Sequence, residues 1–123
     1  MAGDQSPADT GMEVSSRFSA PEVVVVSPAG DIDSATSGPL RAAIGEQVAA
    51  GARHVVLDLS GVAFLGSAGL AMLIAEREAA IDRDGTLRLA GVPRVAGRAL
   101  SLTGLTELFD TYPDADTAAA GLV

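Results

Sequence analysis

The chain has 123 residues, which fits one domain, and its core must consist of Val, Leu, Ile and Ala, because 48% of the residues are hydrophobic but only 3% are aromatic. Its net charge of -8 disfavours direct binding to nucleic acid or to an anionic membrane surface, since like charges repel. The sequence contains neither Cys nor Lys, which excludes disulfides, thiolate metal sites, Schiff-base chemistry and the phosphate-binding lysine of a P-loop.

The N-terminal segment, residues 1–11, is rich in Asp, Ser, Pro and Gly and predicts a disordered lead-in to a single domain over residues 12–123. It has no apolar stretch of the kind found in a signal peptide. No apolar run elsewhere approaches the roughly 20 residues needed to span a bilayer. We therefore expect a cytoplasmic protein with no membrane partner.

Two strands and a helix are predicted in the first half of the domain. A weak strand from about Glu13 to Ser19 precedes the β-branched run Val23–Val26, which is typical of a buried strand. The acidic segment Pro28–Asp33 is predicted to be a loop. Apolar residues then recur at helical spacing over Ala35–Ala50, and Gly51 ends this helix.

The middle of the chain predicts a second buried strand and a second helix. The strand is His54–Leu59, after which the chain stays apolar through Leu65 and turns at Gly66. From Ser67 a helical pattern continues to about Asp84. Its apolar face is expected to carry Leu70, Leu73, Ile74 and Ile81.

The last third predicts a short strand at Leu87–Leu89, a helix over Pro93–Leu102, a short strand at Phe109–Tyr112 and an alanine-rich helix capped by Pro113-Asp114. Strands that alternate with helices of this length imply crossovers and a largely parallel sheet. The extra strand before the first helix makes the sheet mixed. We expect an α/β fold with a mixed sheet of four to five strands and about four helices.

Two patterns resemble enzyme active sites, but each lacks residues that its chemistry requires. Leu65–Gly69 resembles the G-x-S-x-G nucleophile turn without its first glycine, and the only histidine, His54, precedes the serine and begins a strand far from the turn. A phospho-acceptor at Asp58 needs an acidic pair, which Asp31 and Asp33 could mimic, and a lysine, which is missing. A backbone hydrogen bond in the following loop is the favoured role of Asp58. With no complete P-loop or G-x-G-x-x-G motif either, we expect no enzymatic activity, cofactor or metal.

Ser67 lies directly ahead of the second helix, where two roles are open. Most serines there are N-caps whose hydroxyl accepts a backbone N–H. The same helix end offers free N–H groups and a positive dipole, so it would also tolerate a phosphate on the hydroxyl. A phosphate would add about -1.5 to -2 charges at neutral pH and could block a partner without unfolding the domain.

The run Val55–Leu70 closely resembles the STAS-domain anti-sigma factor antagonists of bacteria. Gly30–Asp33 followed by Ala35-Thr36 is similar to that family's G-[ED]-φ-D-x-x-[TS] segment, in which φ is apolar. Two later segments, Leu102–Leu105 and Phe109–Pro113, also fit, and the resemblance covers roughly residues 13–121.

The resemblance implies a partner-switching regulator. In the family, an anti-sigma factor that is also a serine kinase binds the unphosphorylated antagonist and releases its sigma factor. Phosphorylation of the motif serine, here Ser67, ends that binding, and a serine phosphatase restores it. The implied partner-binding residues are Asp31, Asp33, Gly66, Ser67, Ala68, Gly69 and Leu70.

Gly66 stands where the family usually has an aspartate, so a charge next to the phosphate acceptor is missing. This departure keeps an alternative open, in which the chain is a STAS module that acts as a scaffold or as a sensor of a small ligand or nucleotide without phospho-switching. The sequence does not distinguish a monomer from a weak dimer.

Overall fold

The computed structural model describes residues 12–122 and begins with a long antiparallel pair of strands, β1 (Met12–Ala20) and β2 (Val23–Ile32). Val23–Val26 are almost completely buried, as their β-branched run predicts. The expectation of a loop over Pro28–Asp33 is wrong for most of that segment. β2 continues to Ile32 because β1 pairs with it as far as Gly30 and a later strand, Gly61–Leu65, pairs with Ala29–Ile32. The predicted disordered segment 1–11 lies outside the described residues.

The remaining elements alternate between strands and helices. In chain order they are α1 (Ser37–Ala49), β3 (His54–Asp58), β4 (Gly61–Leu65), α2 (Ser67–Asp82), β5 (Thr86–Ala90), α3 (Arg94–Leu102), a short 3-10 turn (Thr106–Leu108), β6 (Asp110–Tyr112) and α4 (Ala115–Ala119). The helices and strands predicted from the sequence are confirmed, with ends shifted by about two residues or fewer, except that β2 extends to Ile32 instead of ending at Val26. Within residues 12–122, five strands follow one order, as expected, and β4 pairs with β2 as an additional sixth strand.

The sheet is mixed, as expected, with the order β1-β2-β3-β5-β6. Only β1 is antiparallel to its neighbour. β3 pairs with Val23–Val26, and β4 pairs with Ala29–Ile32 further along the same edge of β2. β3 and β4 therefore behave as two segments of one interrupted strand. This arrangement carries the chain to the carboxyl end of β2 before α2 begins.

Both faces of the sheet are covered. The larger core lies between the sheet and α1, α2 and α3, with Leu40, Leu73 and Leu100 as central helix residues. A smaller core lies under α4. Ile81, expected on the apolar face of α2, is instead 55% exposed. Ala80 is buried in its place, since a residue seven positions after Leu73 returns almost to the same direction on the helix, whereas the eighth lies towards the margin of the apolar face.

Candidate functional site

The start of α2 places Ser67 on the surface with a free hydroxyl. Gly66, and not Ser67, is the N-cap residue of α2, and no side chain caps this helix end. The Ser67 side chain is exposed, and its hydroxyl makes no hydrogen bond within residues 12–122. The N-cap role considered for Ser67 is therefore wrong by one position. The serine is the first helical residue, and its hydroxyl is accessible.

The ends of β2 and β4 lie side by side and bring the acidic segment to the start of α2. Ile32 and Leu65 are paired across the two strands, and the Gly66 N–H donates a 3.0 Å hydrogen bond to the Ile32 carbonyl. Gly30 has a φ of 119°, a conformation that side chains rarely allow. The β2–β4 register shifts directly after it. Gly30 thus allows the local irregularity in the pairing of β2 with β4.

Asp33 uses its carboxylate inside the loop that leads to α1. Its Oδ1 atom accepts hydrogen bonds from the N–H groups of Ala35 at 2.9 Å and Thr36 at 3.1 Å. The buried Thr36 hydroxyl donates to the Asp31 carbonyl at 2.7 Å and accepts from the Asp33 N–H at 2.9 Å. These side-chain to backbone hydrogen bonds fix the conformation of the loop before α1. They give the aspartate and threonine of the G-[ED]-φ-D-x-x-[TS] segment a structural role.

Asp31 differs from Asp33, although sequence reasoning treated the two as an equivalent pair. The Asp31 side chain is exposed, and its carboxylate has no hydrogen bond or ion pair within the described part of the chain. Asp31 is paired with Phe64 across β2 and β4. Ile32 and Leu65, the next residues of each strand, are buried. Because successive residues of a strand face opposite sides, Asp31 and Phe64 share the other face of the sheet, which is exposed at this end of β2 and β4.

Gly69 lets the first turn of α2 lie directly on the end of β2. A Cβ atom at this position would lie 2.6 Å from the Leu65 Cδ1 atom, 2.8 Å from the Ile32 Cγ2 atom and 3.0 Å from the Ile32 carbonyl oxygen. Gly69 itself is buried, whereas Ala68 and Leu70 on either side are half-buried. The turn therefore combines one buried contact residue with an accessible serine.

Phe64 lies beside the turn that carries Ser67, and sequence reasoning did not single it out. Its side chain is 49% exposed, and a Cβ atom on Gly66 would lie 2.9 Å from the Phe64 Cε2 atom. The ring therefore lies against the glycine that precedes Ser67. The available signal was an aromatic residue at an outward-facing position of a short strand, in a chain with only three Phe residues.

The other sequence candidates lie elsewhere. His54 is buried at the amino end of β3, where its Nδ1 atom lies 3.0 Å from the Thr86 hydroxyl, while Ser67 follows the carboxyl end of β4. The two are not brought together as a catalytic pair. The expected backbone hydrogen bond of Asp58 is confirmed, since its Oδ1 atom accepts from the Ser60 N–H at 3.1 Å.

Burial lowers the pKa of His54 below its ordinary value, and the positive charge of Arg53 lowers it further. Across residues 12–122, no three or more His, Cys, Asp and Glu side chains are grouped so that they could hold a metal ion. The same part of the chain contains no helix whose length and apolar character would let it cross a membrane.

The family model for the STAS domain matches residues 19–118. The chain belongs to the STAS domain family. This STAS domain is 40% identical over 102 residues to the anti-sigma-F factor antagonist RsfB of Mycobacterium tuberculosis, a match that covers 80% of the chain and 83% of RsfB. The resemblance noted in the sequence is thereby confirmed.

Solved structures agree with the fold. An anti-sigma factor antagonist from Mycobacterium paratuberculosis superposes with a TM-score of 0.79 at 34% identity, covering 95% of this chain and 97% of that one. The Bacillus cell fate determinant SpoIIAA in its phosphorylated form superposes with a TM-score of 0.67 at 14% identity, covering 85% and 96%. At that identity the second likeness concerns the fold alone.

Proposed function

We propose that this STAS domain is an anti-sigma factor antagonist, which binds an anti-sigma factor with serine kinase activity while Ser67 is unphosphorylated and so releases a sigma factor. The observation that carries the proposal is the exposed, unbonded Ser67 hydroxyl at the start of α2. It occurs in a chain whose relatives are named anti-sigma factor antagonists. The domain acts in the cytoplasm as a regulatory binding protein and not as an enzyme.

Phosphorylation at this position changes the surface without disturbing the core. The kinase transfers the γ-phosphoryl group of ATP to the Ser67 oxygen, ADP leaves, and the hydroxyl proton passes to the kinase. The first N–H groups of a helix have no carbonyl partner within it, and the dipole favours negative charge at this end. The phosphate is therefore accepted locally, while its charge of about -1.5 to -2 alters the face that a partner meets. A serine phosphatase removes it.

The proposed docking face contains exposed residues that would contact the partner and other residues that hold the backbone in position. It consists of Asp31, Asp33, Gly66, Ser67, Ala68, Gly69 and Leu70. Asp31 offers the partner a carboxylate that has no hydrogen bond or ion pair within residues 12–122, whereas Asp33 acts indirectly through the loop that it holds. Gly69 acts by letting α2 lie close to β2.

The test is binding to the anti-sigma factor kinases of the same organism. Wild type and Ser67→Ala should each bind one such kinase, while Ser67→Glu should lose binding by about tenfold or more, because the added carboxylate stands in for the phosphate. Ser16→Glu is the matched control. Ser16 is exposed on β1 opposite Val26, about 20 Å along β2 from Ile32.

Mass spectrometry after incubation with kinase and ATP should place one phosphate on Ser67 and none on Ser67→Ala. Unchanged affinity of Ser67→Glu, or a phosphate on a different residue, would contradict the proposed switch. Binding of none of the kinases would contradict the proposed function as a whole.

A second candidate function is a STAS module that senses a small ligand without phospho-switching. The observation in its favour is a solvent-open groove of about 520 Å³ between α1 and α2, whose lining includes the ion pair between Arg41 and the buried Glu76. A rise in melting temperature with a nucleotide or a fatty acid, combined with no phosphate on Ser67, would favour this function over the first.

A further inference from the structure

We infer that Phe64 and Gly66 form a specificity-determining pair, in which the glycine leaves room for the phenyl ring and the ring supplies an apolar contact to the anti-sigma factor beside Ser67. The inference rests on the proposed function and names the chemistry of the partner's surface. That surface is apolar where it meets Phe64 and carries a cation where it meets Asp31.

The conformation of Gly66 does not itself require glycine. Its φ of -89° and ψ of -176° are extended backbone that any residue adopts. The missing side chain matters because the Phe64 ring occupies its place, with Cε2 at 2.9 Å and Cζ at 3.4 Å from an ideal Cβ. Any side chain at residue 66 would therefore push the ring away from the turn.

The ring is available to a partner. About half of the Phe64 side chain is exposed, on the side of the sheet opposite to the buried Ile32 and Leu65. Asp31, Phe64 and Gly66 thus form a strip that leads along the end of the sheet to Ser67. An aromatic ring held against backbone offers a large contact area at a small cost in conformational entropy, which is why aromatic residues often dominate binding energy.

Charge argues for a different protein as the occupant and against a second copy of this chain. The chain carries a net charge of -8, and the strip contains the carboxylate of Asp31, which forms no ion pair within residues 12–122. Two copies that met through this strip would bring like charges together. A partner with a basic side chain next to an apolar patch complements it.

The position of the ring also accounts for the effect of a phosphate. Ser67 directly follows Gly66, so a phosphoryl group there would stand at the border of the apolar contact. A phosphate placed in a hydrophobic interface disrupts it, because its charge loses solvation without gaining a partner. Phosphorylation would thereby act on the Phe64 contact without moving the fold.

The experiment measures the dissociation constant of the anti-sigma factor kinase by titration calorimetry for two variants and two matched controls. Phe64→Ala removes the ring, and Gly66→Ala displaces it without adding charge. Phe18→Ala removes a ring that is 40% exposed on β1 and paired with Val24, about 26 Å along β2 from Ile32. Gly45→Ala adds a methyl group in α1, where nothing lies within 4 Å.

We expect Phe64→Ala and Gly66→Ala each to raise the dissociation constant about tenfold or more, and the controls to change it less than about twofold. The double variant Phe64→Ala/Gly66→Ala should bind no more weakly than Phe64→Ala, since both changes remove the same contact. Circular dichroism melts should confirm that each variant is folded. Phe64→Leu, which keeps an apolar side chain, replaces Phe64→Ala if that variant does not fold.

The outcomes separate this inference from the proposed function. If Ser67→Glu abolishes binding while Phe64→Ala and Gly66→Ala bind like wild type, the inference is overturned and the proposed function stands. Independent, additive losses in the double variant would overturn the pairing of the two residues. If wild type binds no anti-sigma factor, the proposed function and this inference are both contradicted.

Discussion

The N–H of Gly66 donates a 3.0 Å hydrogen bond to the carbonyl of Ile32, and this single contact ties the start of α2 to the end of β2. It helps to hold Ser67 and the acidic segment together at the carboxyl ends of β2 and β4, although the two are more than 30 residues apart in the chain. The proposed docking face is therefore a product of strand pairing.

Gly69 should be intolerant of any side chain. Gly69→Ala would bring a Cβ atom to 3.0 Å from the Ile32 carbonyl oxygen, which belongs to a paired strand and cannot move freely. We expect the free energy of unfolding to fall by about 1–3 kcal/mol, as in other overpacked cores. Urea denaturation measures it. The control Gly45→Ala, in open space within α1, should be neutral or stabilising, and an equal loss there would contradict the packing argument.

Asp33 should matter for stability. Asp33→Ala removes the acceptor of the Ala35 and Thr36 N–H groups. The loss should lower the free energy of unfolding by about 1–2 kcal/mol, because two backbone N–H groups lose their hydrogen-bond acceptor. Thermal and urea melts measure the change. Asp33→Asn, which retains a carbonyl acceptor, should recover most of it, and a failure to do so would assign the effect to charge instead of hydrogen bonding.

Asp31 should matter for binding and not for stability. Its exposed carboxylate has no partner within residues 12–122, so Asp31→Asn should leave the melting temperature unchanged. Affinity for the anti-sigma factor should fall severalfold at low salt, because an attractive charge at the rim of an interface is lost. Calorimetric titrations at two ionic strengths measure this. A variant whose affinity depends on salt as strongly as that of wild type would show that Asp31 meets no cation.

His54 should make the fold less stable in mild acid. Burial lowers its pKa in the folded state, whereas an unfolded chain has a histidine pKa of about 6.5. The unfolded state therefore binds the proton more readily. The stability contributed by neutral His54 is complete above about pH 6.5 and is lost as the pH falls from there through the lowered folded pKa.

Urea melts between about pH 7.5 and 5 should show this decline, and His54→Gln should reduce it. The chain has a single histidine, so its imidazole proton signals in an NMR titration report this pKa without ambiguity. A midpoint at or above the ordinary histidine value would contradict the prediction.

Local features of the chain predicted much of this molecule. The β-branched run at Val23–Val26 and the helical spacing over Ala35–Ala50 specify their elements because period and propensity act between near neighbours. Turn chemistry was also local: Asp114 caps α4 by accepting from the Thr117 N–H at 2.8 Å, and Asp58 bonds to the loop after β3. The order and spacing of several motifs, among them the one around Ser67, suggested the family, which the comparisons confirm.

Only the tertiary structure decided how those pieces meet at the docking face. The strand character of β4 and of the end of β2 depends on their pairing, which no local period records. The different roles of Asp31 and Asp33 depend on which carboxylate the α1 loop uses. The contact between Phe64 and Gly66 depends on the conformation of the backbone between β4 and α2. Sequence patterns thus determined the elements and the family, while the accessibility of Ser67 and the composition of the surface beside it follow from contacts made in space.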